Sequence, residues 1–221
     1  MSLNLFSMFD PASSNSLSMN WSCLLFSMIL IPQPYWLMKN RMMILFSSIN
    51  KLIIKDLNSN LKLNLYPNKM IFLSLFWFIM ISNLLGLFPY IFTSTSHLIV
   101  SLSLSLPSWL CLIIYTLVTS FNSLMAHLVP SGAPMSLSIF MVFIETISSI
   151  IRPFTLAIRL TANMIAGHLL LALLSGISEN YPILYIFSLP MINILTMLEF
   201  AVAMIQSYVF FTLLSLYFNE I

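Results

Sequence analysis

Four charged side chains lie inside long apolar runs in the second half of the chain. They are Glu145, Arg152, Arg159 and Glu199. Even on lenient insertion scales, a charge in the middle of a membrane segment costs about 3 kcal/mol. Because such residues commonly mark ion pathways and proton relays, each of the four needs either a partner or a function.

Arg159 poses the sharpest question, because a guanidinium stays protonated at any physiological pH and cannot shed its charge when it is buried. Apolar sequence extends on both sides of it, and no carboxylate stands within one helical turn along the chain. We therefore expect its anion to come from another helix or from another subunit.

Helical spacing sorts the polar residues onto faces. One stripe follows steps of three or four residues, and its members are Glu145, Ser148, Arg152, Thr155, Arg159 and Asn163. His168 points to the opposite side of the same helix, whereas Glu199 and Gln206 share a face of the last apolar segment. If these two helices pack as an antiparallel pair, the Glu199 face can meet His168.

His168 and Glu199 are residue types that a proton relay uses, since imidazole exchanges protons near neutral pH. A lone buried histidine is more often a structural hydrogen-bonding group, but the additional carboxyl and amide groups favour transport. For Glu145 and Arg152 an ion pair within the helix, or extension of the side chains to the membrane surface, remains an alternative.

The composition places the chain in a membrane, with 60% hydrophobic and 6% charged residues among 221, whereas soluble domains are about a quarter charged.

We predict an all-α polytopic fold, a single membrane domain over residues 1–221 with about five membrane-embedded helices and one amphipathic surface helix. The predicted membrane segments are 21–37, 70–92, 99–121, 136–174 and 183–218, the second and third forming a hairpin. As a helix, 136–174 would be roughly 58 Å long, so it must tilt, bend near Pro153 or lie in the membrane plane.

Residues 41–63 show a different pattern, with apolar residues on one side and polar residues on the other, as in a helix that lies on a membrane surface. Five lysines and one arginine fall between positions 39 and 69, and only Arg152 and Arg159 lie elsewhere. The positive-inside rule therefore puts this region on the negative side of the membrane and the N-terminus on the positive side.

Several motifs resemble the family of subunit a of F-type ATP synthases, in its mitochondrially encoded animal form. The most specific is "RLTANMIAGHLL" from Arg159, and supporting stretches are "NLFSMFDP", "GLFPYIFTSTSHL", "AHLVPSGAP", "ETISSIIRP" and "IQSYVF". The resemblance implies a non-catalytic stator that offers protons two offset half-channels beside a rotating ring of c subunits, coupling proton flow to rotation and ATP synthesis.

The same resemblance implies roles for individual residues. Arg159 corresponds to the arginine that faces the ring carboxylates, and Glu145 to the outlet half-channel. The inlet half-channel is implied at His168, Glu199, Asn163 and Gln206. The long helices 136–174 and 183–218 would be the tilted pair that faces the c-ring.

The resemblance also implies a location and partners. The implied location is the mitochondrial inner membrane, with the N-terminus toward the intermembrane space. The amphipathic helix and the C-terminus would then face the matrix. The implied neighbours, besides the c-ring, are the peripheral stalk and other Fo subunits. No cofactor or nucleic acid is expected, and without a G-x-x-x-x-G-K-[ST] loop no nucleotide is expected to bind. A stand-alone proton-coupled transporter and a purely structural membrane subunit remain alternatives.

Overall fold

In the computed structural model, every regular element of the described residues is helical. The description covers residues 5–13, 18–32, 38, 40–60, 66–119, 121–129, 135–180 and 185–220. The helices are α1 (Ser22–Ile29), α2 (Arg41–Asn60), α3 (Tyr66–Gly86), α4 (Leu98–Thr119), α5 (Phe121–Leu128), α6 (Met135–Asn180) and α7 (Tyr185–Glu220). Short 3-10 turns occupy Leu5–Phe9, Met19–Trp21 and Ser94–Ser96.

Among the described residues, four helices are long and apolar enough to cross a membrane. Their apolar stretches are Lys69–Gly86, Leu98–Thr119, Ser138–Gly176 and Tyr185–Tyr217. A shorter apolar helical segment, Met19–Ile29, precedes them. The fold is therefore the all-helical membrane architecture that the composition predicts.

Helix α6 is longer than the sequence pattern indicates. It contains 46 residues and runs through Pro153 without ending, which corresponds to about 69 Å. Residues 175–180, which lie beyond the predicted segment 136–174, continue this helix. A helix can continue beyond its apolar part, because polar residues also form helical backbone hydrogen bonds. A drop in hydropathy along the sequence therefore does not by itself mark the end of a helix.

Other boundaries also differ from the sequence prediction. Helix α1 ends at Ile29 rather than near residue 37, because Pro32 disfavours a helical conformation of the residue before it; residues 33–37 lie outside the described part. Helix α3 begins at Tyr66 and ends at Gly86 rather than near residue 92. The short helix α5 follows α4 and lies largely outside the segments predicted from sequence.

Within the described residues, the hydrophobic core joins the five helices α2, α3, α4, α6 and α7. Its centre contains Phe76 of α3, Leu160 of α6, and Phe210 and Phe211 of α7, with the ring centroids of Phe76 and Phe211 5.8 Å apart. Helix α3 packs along α7, α4 packs along α6, and α6 also packs along α7. Helix α6 thus lies between α4 and α7, and this position determines which of its side chains remain exposed.

Helix α2 contacts both α3 and α7. Its apolar side chains Ile53 and Leu57 are buried in the core, Leu57 completely. The Asn50 side chain accepts a hydrogen bond from the indole N–H of Trp77 at 2.6 Å. Part of the apolar side of α2 is therefore covered by other helices of the same chain.

Candidate functional site

Two side-chain contacts set the register of α6 against α7. The Asn163 amide nitrogen donates to the Gln206 amide oxygen at 2.9 Å, and Glu199 lies against Gly167. Residue numbers rise along α6 while they fall along α7, so that the two helices are antiparallel. Gln206 is buried, and a buried amide needs such a partner because an unpaired polar group is costly away from water.

Glu199 occupies space that is open only because residue 167 has no side chain. A Cβ atom built on Gly167 would lie 2.9 Å from Oε1 of Glu199 and 3.0 Å from its Cδ. The glutamate is 8% exposed. Sequence reasoning did not single out Gly167, although a glycine inside a membrane helix is a known sign of close packing between helices.

The structure brings His168 and Glu199 to the same level of the helix pair, since His168 directly follows the glycine against which Glu199 packs. Nε2 of His168 and both carboxyl oxygens of Glu199 are buried and have no hydrogen-bond partner in the described part of the chain. Buried polar atoms without partners are rare in folded proteins and often belong to functional sites. Each of these atoms can bind a proton or a water molecule.

Arg159 lies on the exposed face of α6, away from the core. Leu156, Ala157 and Leu160 are buried, whereas Arg159 is exposed. Across the described ranges, no carboxylate forms an ion pair with it. The backbone of Arg159 is about 12 Å along the helix axis from Gly167, where Glu199 packs.

Glu145 and Arg152 form an ion pair two turns apart on α6, the arrangement that remained open from sequence. Nη2 of Arg152 is 3.7 Å from Oε1 of Glu145, and the two side chains are 32% and 48% exposed. The guanidinium of Arg152 also stacks over the Tyr217 ring of α7, 5.0 Å from its centroid. Arg152 is thus neutralised within the chain, in contrast to Arg159.

Asn83 of α3 is a buried polar residue that the sequence analysis passed over. It is completely buried, and neither atom of its side-chain amide has a hydrogen-bond partner within the described residues. Gly86, one turn later, lies close to α6, since a Cβ there would be 3.4 Å from Cε of Met164. The position of Asn83 inside an apolar span is visible in the sequence, and it indicates a contact with another helix because such an amide normally forms a hydrogen bond there.

Together these groups form two separate polar regions on α6. One combines His168 and Glu199 with the hydrogen-bonded pair Asn163 and Gln206, and its unpartnered atoms are buried. The other is the Glu145–Arg152 pair. Arg159 lies between them along the helix and is open to a partner outside the chain, so the arrangement can hold protons at two places and keep a fixed cation between them.

Known proteins with similar sequences cover the whole chain. The family model described as ATP synthase A chain matches residues 4–219. ATP synthase subunit a of Drosophila simulans is 51% identical over 228 residues, covering 100% of both chains. ATP synthase subunit a of Aedes aegypti is 48% identical and covers 100% of both chains. ATP synthase subunit a of Apis mellifera ligustica is 44% identical, and the match covers 99% of this chain and 96% of the relative.

Proposed function

The chain belongs to the ATP synthase A chain family, and on this basis we propose how its residues conduct protons. As a member of that family it is a non-catalytic subunit of the membrane sector Fo, the proton-conducting stator of the complex. The proposal concerns the roles of individual side chains, the neighbouring subunits and the orientation in the membrane.

Arg159 acts as a gate that faces the carboxyl groups of a ring of c subunits. A fixed cation favours the ionised form of a carboxyl group that arrives beside it, and it thereby promotes release of the proton. The same charge repels protons that would otherwise pass directly between the two half-channels. Arg159 performs both tasks without changing its own protonation state.

The inlet half-channel contains His168, Glu199, Asn163 and Gln206. The buried, unpartnered atoms of His168 and Glu199 support this assignment, because proton transfer needs groups whose polar atoms are not already saturated. An open cavity of about 1250 Å³ lies between the N-terminal segment and the loop after α3, and Ser175 of α6 is in its wall. Ser175 is about 10 Å along the helix from His168, and we propose this cavity as the entrance to the inlet half-channel.

The outlet half-channel begins at Glu145, on the other side of Arg159 along α6. This carboxylate is 48% exposed despite its contact with Arg152, so it remains accessible to solvent or to a proton from the ring. With α2 at the matrix surface, the outlet opens to the matrix and the N-terminus lies in the intermembrane space. The basic residues between positions 39 and 69 support this orientation.

One observation carries the proposal: Arg159 is exposed and without an ion pair in the described residues, while the neighbouring Arg152 has one. The test is the variant Arg159→Ala in the assembled complex, with proton-driven ATP synthesis measured in inner-membrane vesicles. We expect synthesis to fall below detection while the amount of assembled complex on native gels is unchanged.

The matched control is Ile158→Ala, which shortens an exposed side chain on the same turn of α6 without removing a charge. Its rate of synthesis should remain close to that of the unmodified protein. If Arg159→Ala retained synthesis at the level of this control, Arg159 would not be the gate.

A further inference from the structure

Helix α2 has two exposed flanks, an apolar flank beside the face that packs on the core and a basic flank roughly opposite that face. The apolar flank follows helical spacing and consists of Met42, Leu45, Ile49 and Leu52, which are 73%, 60%, 42% and 65% exposed. The basic flank contains the exposed side chains Lys51 and Lys55. A helix of this kind matches the boundary of a bilayer, where one side meets acyl chains and the other meets headgroups.

Contacts with α3 fix the rotation of α2 about its own axis. The Trp77 indole donates to Asn50 at 2.6 Å, and the Lys69 ammonium donates to Asn58 at 2.7 Å. The ring of Phe46 also packs on Trp77, with the centroids 4.2 Å apart. Because these contacts hold α2 at both ends of the docked face, the apolar and basic flanks keep constant directions relative to the membrane helix α3.

The charge of this region favours an anionic ligand. Residues 39–69 contain six basic residues and a single acidic residue, Asp56, whereas the whole chain has only eight basic residues. Lysine side chains can extend along an apolar surface and place the ammonium group at the level of lipid phosphates. Juxtamembrane basic segments bind anionic phospholipids by this charge complementarity.

We propose that α2 is a binding surface for anionic phospholipids, with the apolar flank against the acyl chains and Lys51 and Lys55 at the phosphate oxygens. The ligand class is a phospholipid with a net negative headgroup, and zwitterionic lipids bind much more weakly. This surface is separate from the proton route, since neither lysine belongs to it.

The test uses the assembled complex in lipid nanodiscs of phosphatidylcholine. A trace of photoactivatable phosphatidylglycerol is added in one sample, and in the other a trace of phosphatidylcholine with the same photoactivatable acyl chain. After illumination, mass spectrometry quantifies the lipid attached to the peptide that contains the apolar flank. Each lysine near an anionic headgroup contributes about a fivefold preference, so phosphatidylglycerol should label this peptide about 25-fold more than phosphatidylcholine.

The variant Lys51→Gln/Lys55→Gln should reduce this preference to nearly one, whereas Lys51→Arg/Lys55→Arg, which keeps the charges, should retain it. ATP synthesis should be similar in both variants, so that a failure of the proton route would be recognised separately. Equal labelling by the two lipids in the unmodified complex would overturn the proposal even if a variant failed to assemble. Crosslinks from this peptide to another protein subunit in place of lipid would also overturn it.

Discussion

Replacing Gly167 with alanine tests whether the position of Glu199 determines the rate of proton uptake. The added methyl carbon would lie 2.9 Å from Oε1, 3.0 Å from Cδ and 3.2 Å from Cγ of Glu199, whereas ordinary contacts begin at 3.4 Å. Either the carboxyl group moves by about 0.5 Å or more, or the helices separate. Overpacking of this kind typically destabilises the native arrangement by about 1–3 kcal/mol. If this cost is added to the barrier for proton transfer, the rate falls about 5- to 150-fold.

The assay is proton-driven ATP synthesis in membrane vesicles, normalised to the amount of assembled complex. Gly176→Ala is the matched control, because it lies on the same helix and a Cβ there has nothing within 4 Å. Both variants gain the same helix propensity from alanine, about 1 kcal/mol, so that the difference between them reports the contact with Glu199.

A second change distinguishes the carboxyl group from the rest of the interface. Glu199→Asp withdraws the carboxyl group from α6 by one methylene, so it should partly restore the rate when it is combined with Gly167→Ala. The reasoning would be refuted if Gly167→Ala were as active as Gly176→Ala, or if the two losses at positions 167 and 199 simply multiplied.

Two further predictions concern the same helix pair. Glu199→Gln and His168→Ala should each slow proton uptake, measured with a pH-sensitive dye, much more than the neighbouring change Leu169→Ala; similar rates for all three would argue against a relay. Asn163→Ala should lower the temperature at which the assembled complex loses activity, because it leaves the buried Gln206 amide without its partner, at a cost of about 1–3 kcal/mol. Gln206→Ala should lower this temperature less, because the Asn163 side chain that loses its partner is exposed. The double variant should lose less than the sum of the single losses, and strictly additive losses would show that the 2.9 Å contact adds no stability.

The faces of the helices could be predicted from sequence, but their register could not. Periodicity places Glu199 and Gln206 on one side of the last helix, and the structure turns this side toward α6. Which turn of α7 lies beside which turn of α6 depends on side-chain shape across the interface, and the open space at Gly167 decides it locally. A pattern within one segment carries no such information about its neighbour.

The surroundings of α2 show a similar limit. Its amphipathic pattern indicates an apolar environment for Ile53 and Leu57, but the pattern is the same whether lipid or protein supplies that environment. In the structure both side chains belong to the protein core, while Leu45 and Leu52 remain exposed. The pairing of Glu145 with Arg152 was left open for a related reason, since spacing shows that two groups can meet but does not exclude other partners.

The contrast between the two arginines of α6 has a consequence for biogenesis. The charge of Arg152 is compensated as soon as the helix has formed, because Glu145 belongs to the same polypeptide. Arg159 instead depends on an acid that arrives with the proposed ring, so a newly synthesised copy that inserts alone holds an unbalanced cation in lipid. Such an orphan copy should be short-lived and prone to proteolysis, and its half-life should lengthen when ring subunits are already present at the site of translation.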